Sequence, residues 1–145
     1  MNIRQIILAA MVFVLPAFCE HQEFLGTWQL DAAKSTFGPM APFDSAVLTV
    51  DIGSHKRLHM QVVAKGSHLE RTVDMDWKVD DRFHPVVGDE PGALLAKWEG
   101  SALVGTRDTE GGMETIRMMP SPDGTSLVET IQSSRGLTTL FWRRR

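Results

Sequence analysis

Glu23-Phe24-Leu25-Gly26-Thr27-Trp28-Gln29-Leu30 is the stretch that decides the fold. Phe24 to Leu30 reads as a first β-strand, and from it onward apolar and polar residues alternate with a period of two. Turn residues break the alternation every ~8–12 positions, the spacing of short antiparallel strands. Further strands are expected at Ala46 to Ile52, Arg57 to Ala64, Leu69 to Val79, Phe83 to Val87, Ala93 to Trp98, Ala102 to Asp108, Met113 to Met119, Ser126 to Ser133 and Leu137 to Arg143. Between them lie Gly53-Ser54-His55-Lys56, Lys65-Gly66-Ser67, Glu110-Gly111-Gly112 and Pro122-Asp123-Gly124, whose glycines supply the positive φ that tight hairpins require. Pro85 cannot donate to a ladder, so its short strand belongs at an edge or a gap.

Lys34-Ser35-Thr36-Phe37-Gly38-Pro39-Met40-Ala41-Pro42 departs from the pattern. Two prolines and a glycine make it a long connection with room for one helical turn near Asp31 to Ser35. The fold class is therefore all-β, a single antiparallel up-and-down β-barrel of about 8–10 strands. Closing a meander on itself removes its exposed edges. An open two-sheet sandwich is the competing architecture.

Residues 1–19 read as a signal peptide: Arg4 is the charge of the n-region, Ile6 to Leu15 is an apolar run, and Pro16-Ala17-Phe18-Cys19 offers small residues before a cut. The run is shorter than the ~20 residues a membrane helix needs. Whether the segment is cut, retained as an anchor or lipidated at Cys19 stays open. Residues 20–145 form the expected barrel domain, placed in the periplasm or outside the cell. Cys19 is the single cysteine, so that domain has no disulfide and depends on its core. The whole chain carries a formal charge of −3, which gives no basic field for nucleic acid. A monomer is expected.

The opening strand resembles that of the lipocalin-like (calycin) barrels, and Phe24 to Leu30 is similar to the start of the intracellular fatty-acid-binding proteins. Asp31-Ala32-Ala33-Lys34-Ser35-Thr36-Phe37-Gly38 and Asp81-Arg82-Phe83-His84-Pro85-Val86-Val87-Gly88 resemble blocks of bacterial secreted, lipocalin-like proteins of unknown role. The resemblance implies that Gly26 turns the chain into the strand and that Trp28 plugs the closed end of the barrel. It implies an arginine of the last strand stacked on that ring, by position Arg143, and a cavity for a small apolar molecule. Fatty-acid binders hold the ligand carboxylate with an Arg-x-Tyr pair on the last strand. Here those positions fall on Leu140 and Trp142, and the chain contains no tyrosine. Portal helices have no room in the proline-rich connection.

Alternation sorts the candidate lining. Leu69, Arg71, Val73, Met75 and Trp77 share one face and Glu70, Thr72, Asp74, Asp76 and Lys78 the other, so Arg71 lies in an apolar row. An interior guanidinium needs a partner, either an anionic ligand group or, near the mouth, water or a structural carboxylate. Leu48, Val50 and Ile52, then Leu58, Met60 and Val62, read as core faces, with Ile116 and Met118 as another. The candidate cavity residues are Arg71, Val73, Met75, Met60, Val62 and Met118. Met60, Met75, Met113, Met118 and Met119 all fall on strands, where flexible thioethers suit either an adaptable cavity or plain core.

No catalytic residue is identified, because no positioned triad or nucleophile elbow occurs. His55 and His59 are the sole close ligand pair, one in a turn and one on a wet face, so no metal site or cofactor is expected. The function expected is an exported barrel binding a small hydrophobic or amphipathic molecule. The alternative is a solid-cored interaction module of the cell envelope, using its loops or the Phe83 to Val87 edge. An enzyme acting on a small substrate comes third.

Overall fold

The computed structural model describes residues 21–89 and 92–145, so the expected signal segment lies outside the described residues. Eleven strands follow one another: β1 (Gly26–Leu30), β2 (Ser45–Ile52), β3 (Leu58–Lys65), β4 (Glu70–Trp77), β5 (Phe83–Pro85), β6 (Val87–Gly88), β7 (Ala93–Glu99), β8 (Ala102–Thr109), β9 (Gly112–Pro120), β10 (Ser126–Ser133) and β11 (Gly136–Arg144). All belong to one sheet of order β5-β7-β8-β9-β10-β11-β1-β2-β3-β4-β6. β1 pairs with β2 on one side and with β11 on the other, which joins the two ends of the meander. The result is an antiparallel, nearly closed barrel, not an open sandwich.

The remaining gap lies between β4 and β7, and the segment expected to be interrupted by Pro85 spans it. Phe83, His84 and Pro85 pair with β7, and Val87 and Gly88 pair with β4. Proline is tolerated because β5 is the edge of the sheet. Gly88 has φ 127°, and a Cβ there would collide with the Asp74 carbonyl. Trp77, the last residue of β4, reaches across the gap to Gly105 of β8. A bulky ring can lie there because position 105 has no side chain.

Alternation places the core. Ala46, Leu48 and Val50 are the buried residues of β2, and Leu58, Met60 and Ala64 those of β3. Ile52 does not continue the row expected of it and is 62 % exposed. It ends its strand immediately before the 3-10 turn Ser54–Lys56, beyond the filled closed end. The first strand also begins later than expected, at Gly26. Residues Gln22–Phe24 form a 3-10 turn that tucks Phe24 fully out of solvent under the barrel. The connection from Asp31 to Asp44 contains two turns: Lys34 N–H and Ser35 N–H donate to the Asp31 and Ala32 carbonyls, and Met40 N–H donates to the Phe37 carbonyl.

Candidate functional site

The barrel is hollow. A cavity of about 170 Å³ lies between the inward rows, and Met60, Val62, Arg71, Val73, Met75 and Met118 all line it. The ladder explains their convergence: Met60 pairs with Met75, and Val62 with Val73, so their side chains leave the sheet on the same face. Met113 and Met119 stand outside, at 51 % and 36 % exposure, because their neighbour Met118 has taken the inward phase. Met40, from the connection after β1, is a fourth lining methionine. The space is below the ~300–1,000 Å³ of ordinary small-molecule sites. It therefore suits a slim molecule, one alkyl chain wide.

Three charged side chains interrupt the apolar wall. Arg71 is exposed and stands at the mouth, at the start of β4, while still contributing to the lining. Arg107 belongs to the row Leu103, Gly105, Arg107 of β8; its Nε and Nη2 donate to Glu114 Oε2 at 3.2 and 2.6 Å. Glu129 sits deeper. It follows Leu127 and precedes Ile131 on the inward row of β10, and its ladder partners are Met118 and Leu140. Trp142 Nε1 donates to Glu129 Oε2 at 3.0 Å. Burial pushes the Glu129 carboxyl up to about 7, and the indole hydrogen bond opposes that shift only in part. Arg107 and Glu129 escaped the sequence reading, although the period-two argument that picked out Arg71 applies unchanged to Leu127-Glu129-Ile131.

The mouth is crossed by a strap made from residues 35–44. Thr36 exchanges backbone hydrogen bonds with Thr139, and Thr138 Oγ1 donates to the Phe37 carbonyl at 2.7 Å. At the far side the Asp44 N–H donates to the Lys65 carbonyl, so the strap runs from β11 to the end of β3. Phe37 and Phe43 meet edge to face at 6.2 Å, and Met40 and Phe43 turn into the cavity. A turn closed by Met40 N–H on the Phe37 carbonyl bends this cover, and prolines at 39 and 42 keep a helix from forming in it.

The opposite end is filled. Phe24 and Trp28 are completely buried, and neither contributes to the cavity. The stacking arginine is Arg144, not Arg143: its guanidinium lies 4.2 Å from the Trp28 ring centroid. Register accounts for the one-residue difference. Trp28 pairs with Arg144, so these two leave the sheet together, whereas Arg143 points outward to Asp31 at 3.4 Å. Gly26 has φ 127°, and a Cβ there would fall 2.6 Å from Arg144 Nη1. Glycine is thus required both for its backbone and for the room it leaves to the guanidinium.

This arrangement has close structural counterparts. Fatty-acid-binding protein 1 of Echinococcus granulosus superposes with a TM-score of 0.64 at 16% identity, covering 84% of this chain and 97% of that one. The fold is that of the calycin-like barrels. Lipid binding protein 8 of Caenorhabditis elegans matches with a TM-score of 0.62 at 12% identity, over 89% of this chain and 100% of that one. The fluorescent protein UnaG matches with a TM-score of 0.60 at 16% identity, over 87% and 100%. The sequence matches no family model and no curated protein. Leu140 and Trp142, expected at the positions of the fatty-acid binders' Arg-x-Tyr pair, both face the cavity of this barrel.

Proposed function

We propose that the protein binds one small hydrophobic or amphipathic molecule inside the barrel. The observation that carries this reading is the hollow interior: an apolar cavity covered by its own strap, in a chain whose core residues could otherwise have filled it. Each methylene moved from water into that space contributes ~0.8 kcal/mol, so the alkyl part supplies most of the affinity. The polar wall groups orient the molecule. Two structural neighbours, a fatty-acid-binding and a lipid-binding protein, agree with this class of ligand. Residues 1–19 support an exported protein acting in the periplasm or outside the cell, in which a carrier or scavenger of poorly soluble molecules is useful.

Native mass spectrometry of the protein purified from its own compartment tests both parts. The expected result is a mature chain beginning near residue 20 with one co-purifying small molecule. An empty barrel after exposure to broad panels of apolar compounds would overturn the binding reading, and a full-length chain in the cytoplasm would overturn export.

A further inference from the structure

We infer that Glu129 is the head-group site of this cavity: it receives a hydrogen-bond donor, hydroxyl or amine, carried by an otherwise apolar molecule. The inference rests on the binding function proposed above and names the class of ligand. Its basis is the placement of one carboxyl. Glu129 projects from the inward face of β10 between Leu127 and Ile131, with Met118 and Leu140 beside it on the adjoining strands. A carboxyl in such a wall is expensive unless its oxygens find donors. Among the described residues its one hydrogen-bonding partner is Trp142. An ionised carboxyl has about four lone-pair positions, and the indole fills one. The rest of its accepting capacity is left for a molecule in the cavity that Glu129 lines.

The support around Glu129 is rigid. Trp142 is 2 % exposed and pairs with Leu30 on one side and Leu127 on the other, so its N–H holds the carboxyl in one place. The cationic groups of the same cavity are elsewhere. Arg71 is at the mouth, and Arg107 is clasped by Glu114 on the β8–β9 hairpin. A fatty acid entering head first would bring its carboxylate against Glu129, whereas an alcohol or amine would complete its hydrogen bonding. The elevated affinity of Glu129 for a proton has the same origin: an acceptor in an apolar wall takes up whatever donor reaches it, and in the empty barrel that donor is a proton.

The test uses the purified full chain and four molecules that carry one decyl chain: decylamine, decanol, decanoate and decyl methyl ether. Affinities are measured at about pH 8.5, above the Glu129 value of about 7, so that the carboxyl is ionised, by displacement of a fluorescent apolar probe. The amine and the alcohol are expected to bind about tenfold or more tightly than the ether and the acid, as a hydrogen bond to a charged group predicts. Glu129→Gln keeps an oxygen for Trp142 but turns an amide N–H₂ toward the ligand. It is expected to shrink that preference to about threefold or less and to improve the relative standing of decanoate. Glu129→Met, which keeps the volume and removes the polarity, should also erase the preference and serves if the glutamine variant folds poorly. A stronger response of decylamine than of decanol would mean an ion pair, and an equal response a neutral hydrogen bond; either supports the inference. Equal binding of all four, unchanged in Glu129→Gln, would overturn it while leaving the barrel a binder. Binding of none would overturn the proposed function and this inference together.

Discussion

The Arg144 guanidinium covers the Trp28 ring at 4.2 Å while its three nitrogens donate to the backbone carbonyls of Gly124, Leu25 and Glu23 at 2.6, 2.7 and 2.5 Å. One side chain thus joins the β9–β10 turn, the 3-10 turn before β1 and the plug of the closed end. Cation–π contact at an exposed site contributes about 0.5–1 kcal/mol, and the hydrogen bonds add to it. Arg144→Ala is therefore expected to destabilise the fold by about 1–3 kcal/mol in urea unfolding. Arg143→Ala loses only a 3.4 Å pair with Asp31, whose arginine is exposed to solvent, and should cost less than about 1 kcal/mol. Equal losses would show that the stacking position has been misassigned.

Trp77 closes the gap in the barrel against Gly105. A Cβ at position 105 would stand 2.8 Å from Trp77 Cζ3 and 2.9 Å from Cη2, atoms of a stiff ring already 97 % buried. Gly105→Ala forces the ring or the strand to move, which costs about 1–3 kcal/mol by overpacking. Hydrogen exchange should rise first at β4 and β7, the two strands that flank the gap. A neutral Gly105→Ala would mean that the ring is free to swing aside.

Stability should fall as pH rises, in two separable windows. The folded Glu129 carboxyl titrates at about 7, above its ordinary 4.5, so the folded state binds that proton more tightly than the unfolded chain. Its contribution is fully present below ~4.5 and is lost between there and ~7, on the order of 3 kcal/mol at most. The groups beside it are Met118, Leu140 and Trp142 on the flanking strands; Arg71 and Arg107 line the same cavity without acting on its carboxyl. His59 acts higher. Its ring sits between Asp76 at 2.7 Å and Asp74 at 3.0 Å, and the Asp76 hydrogen bond raises its pKa above 6.5, with Asp74 and Asp51 adding to the effect. That contribution is present below 6.5 and fades as pH climbs through the folded value. Glu129→Gln should flatten the lower window alone and His59→Asn the upper alone. A pH profile unchanged by either substitution would refute the corresponding assignment.

The strap is anchored to β11 through the buried Thr138, whose Oγ1 donates to the Phe37 carbonyl. Thr138→Val keeps the shape and leaves that carbonyl with the Met40 N–H alone, a loss of about 0.5–1.5 kcal/mol. Because the strap covers the mouth, a bound apolar probe should also leave faster from this variant in stopped-flow displacement. Unchanged release with reduced stability would mean that molecules pass elsewhere, the gap beside Phe83 being the other opening.

Much of this was legible in the sequence because β-structure writes itself with a period of two. Turn glycines and the alternation of Leu48-Val50 and Met60-Val62 placed the strands to within a residue or two, and Pro85 located the gap. The lining residues Arg71, Val73 and Met75 followed from the same phase. Arg144 did not, since the side of β11 that meets Trp28 depends on strand register, which a sequence does not number. Ile52 fits the alternation yet is exposed, because alternation assigns a face and not a height along the barrel. Glu129 was overlooked for a different reason: a glutamate flanked by Val128 and Thr130 reads as a surface residue until Leu127 and Ile131 are seen to share its face. The strap is legible only as an absence of helix, for its hold on the mouth depends on pairing between residues about a hundred positions apart.

The central claim, that the space inside the barrel holds a ligand, is tested most directly by filling that space. Val73 lines the cavity opposite Val62 in the β3–β4 ladder, and Val73→Phe would occupy the volume with an apolar side chain while leaving the outer surface unchanged. Native mass spectrometry of both proteins, equilibrated with decanol, gives the comparison. The account predicts a one-to-one complex for the natural chain and its loss in Val73→Phe. A complex that persists in the filled variant, or none in the natural chain with any of the four decyl compounds, would contradict it.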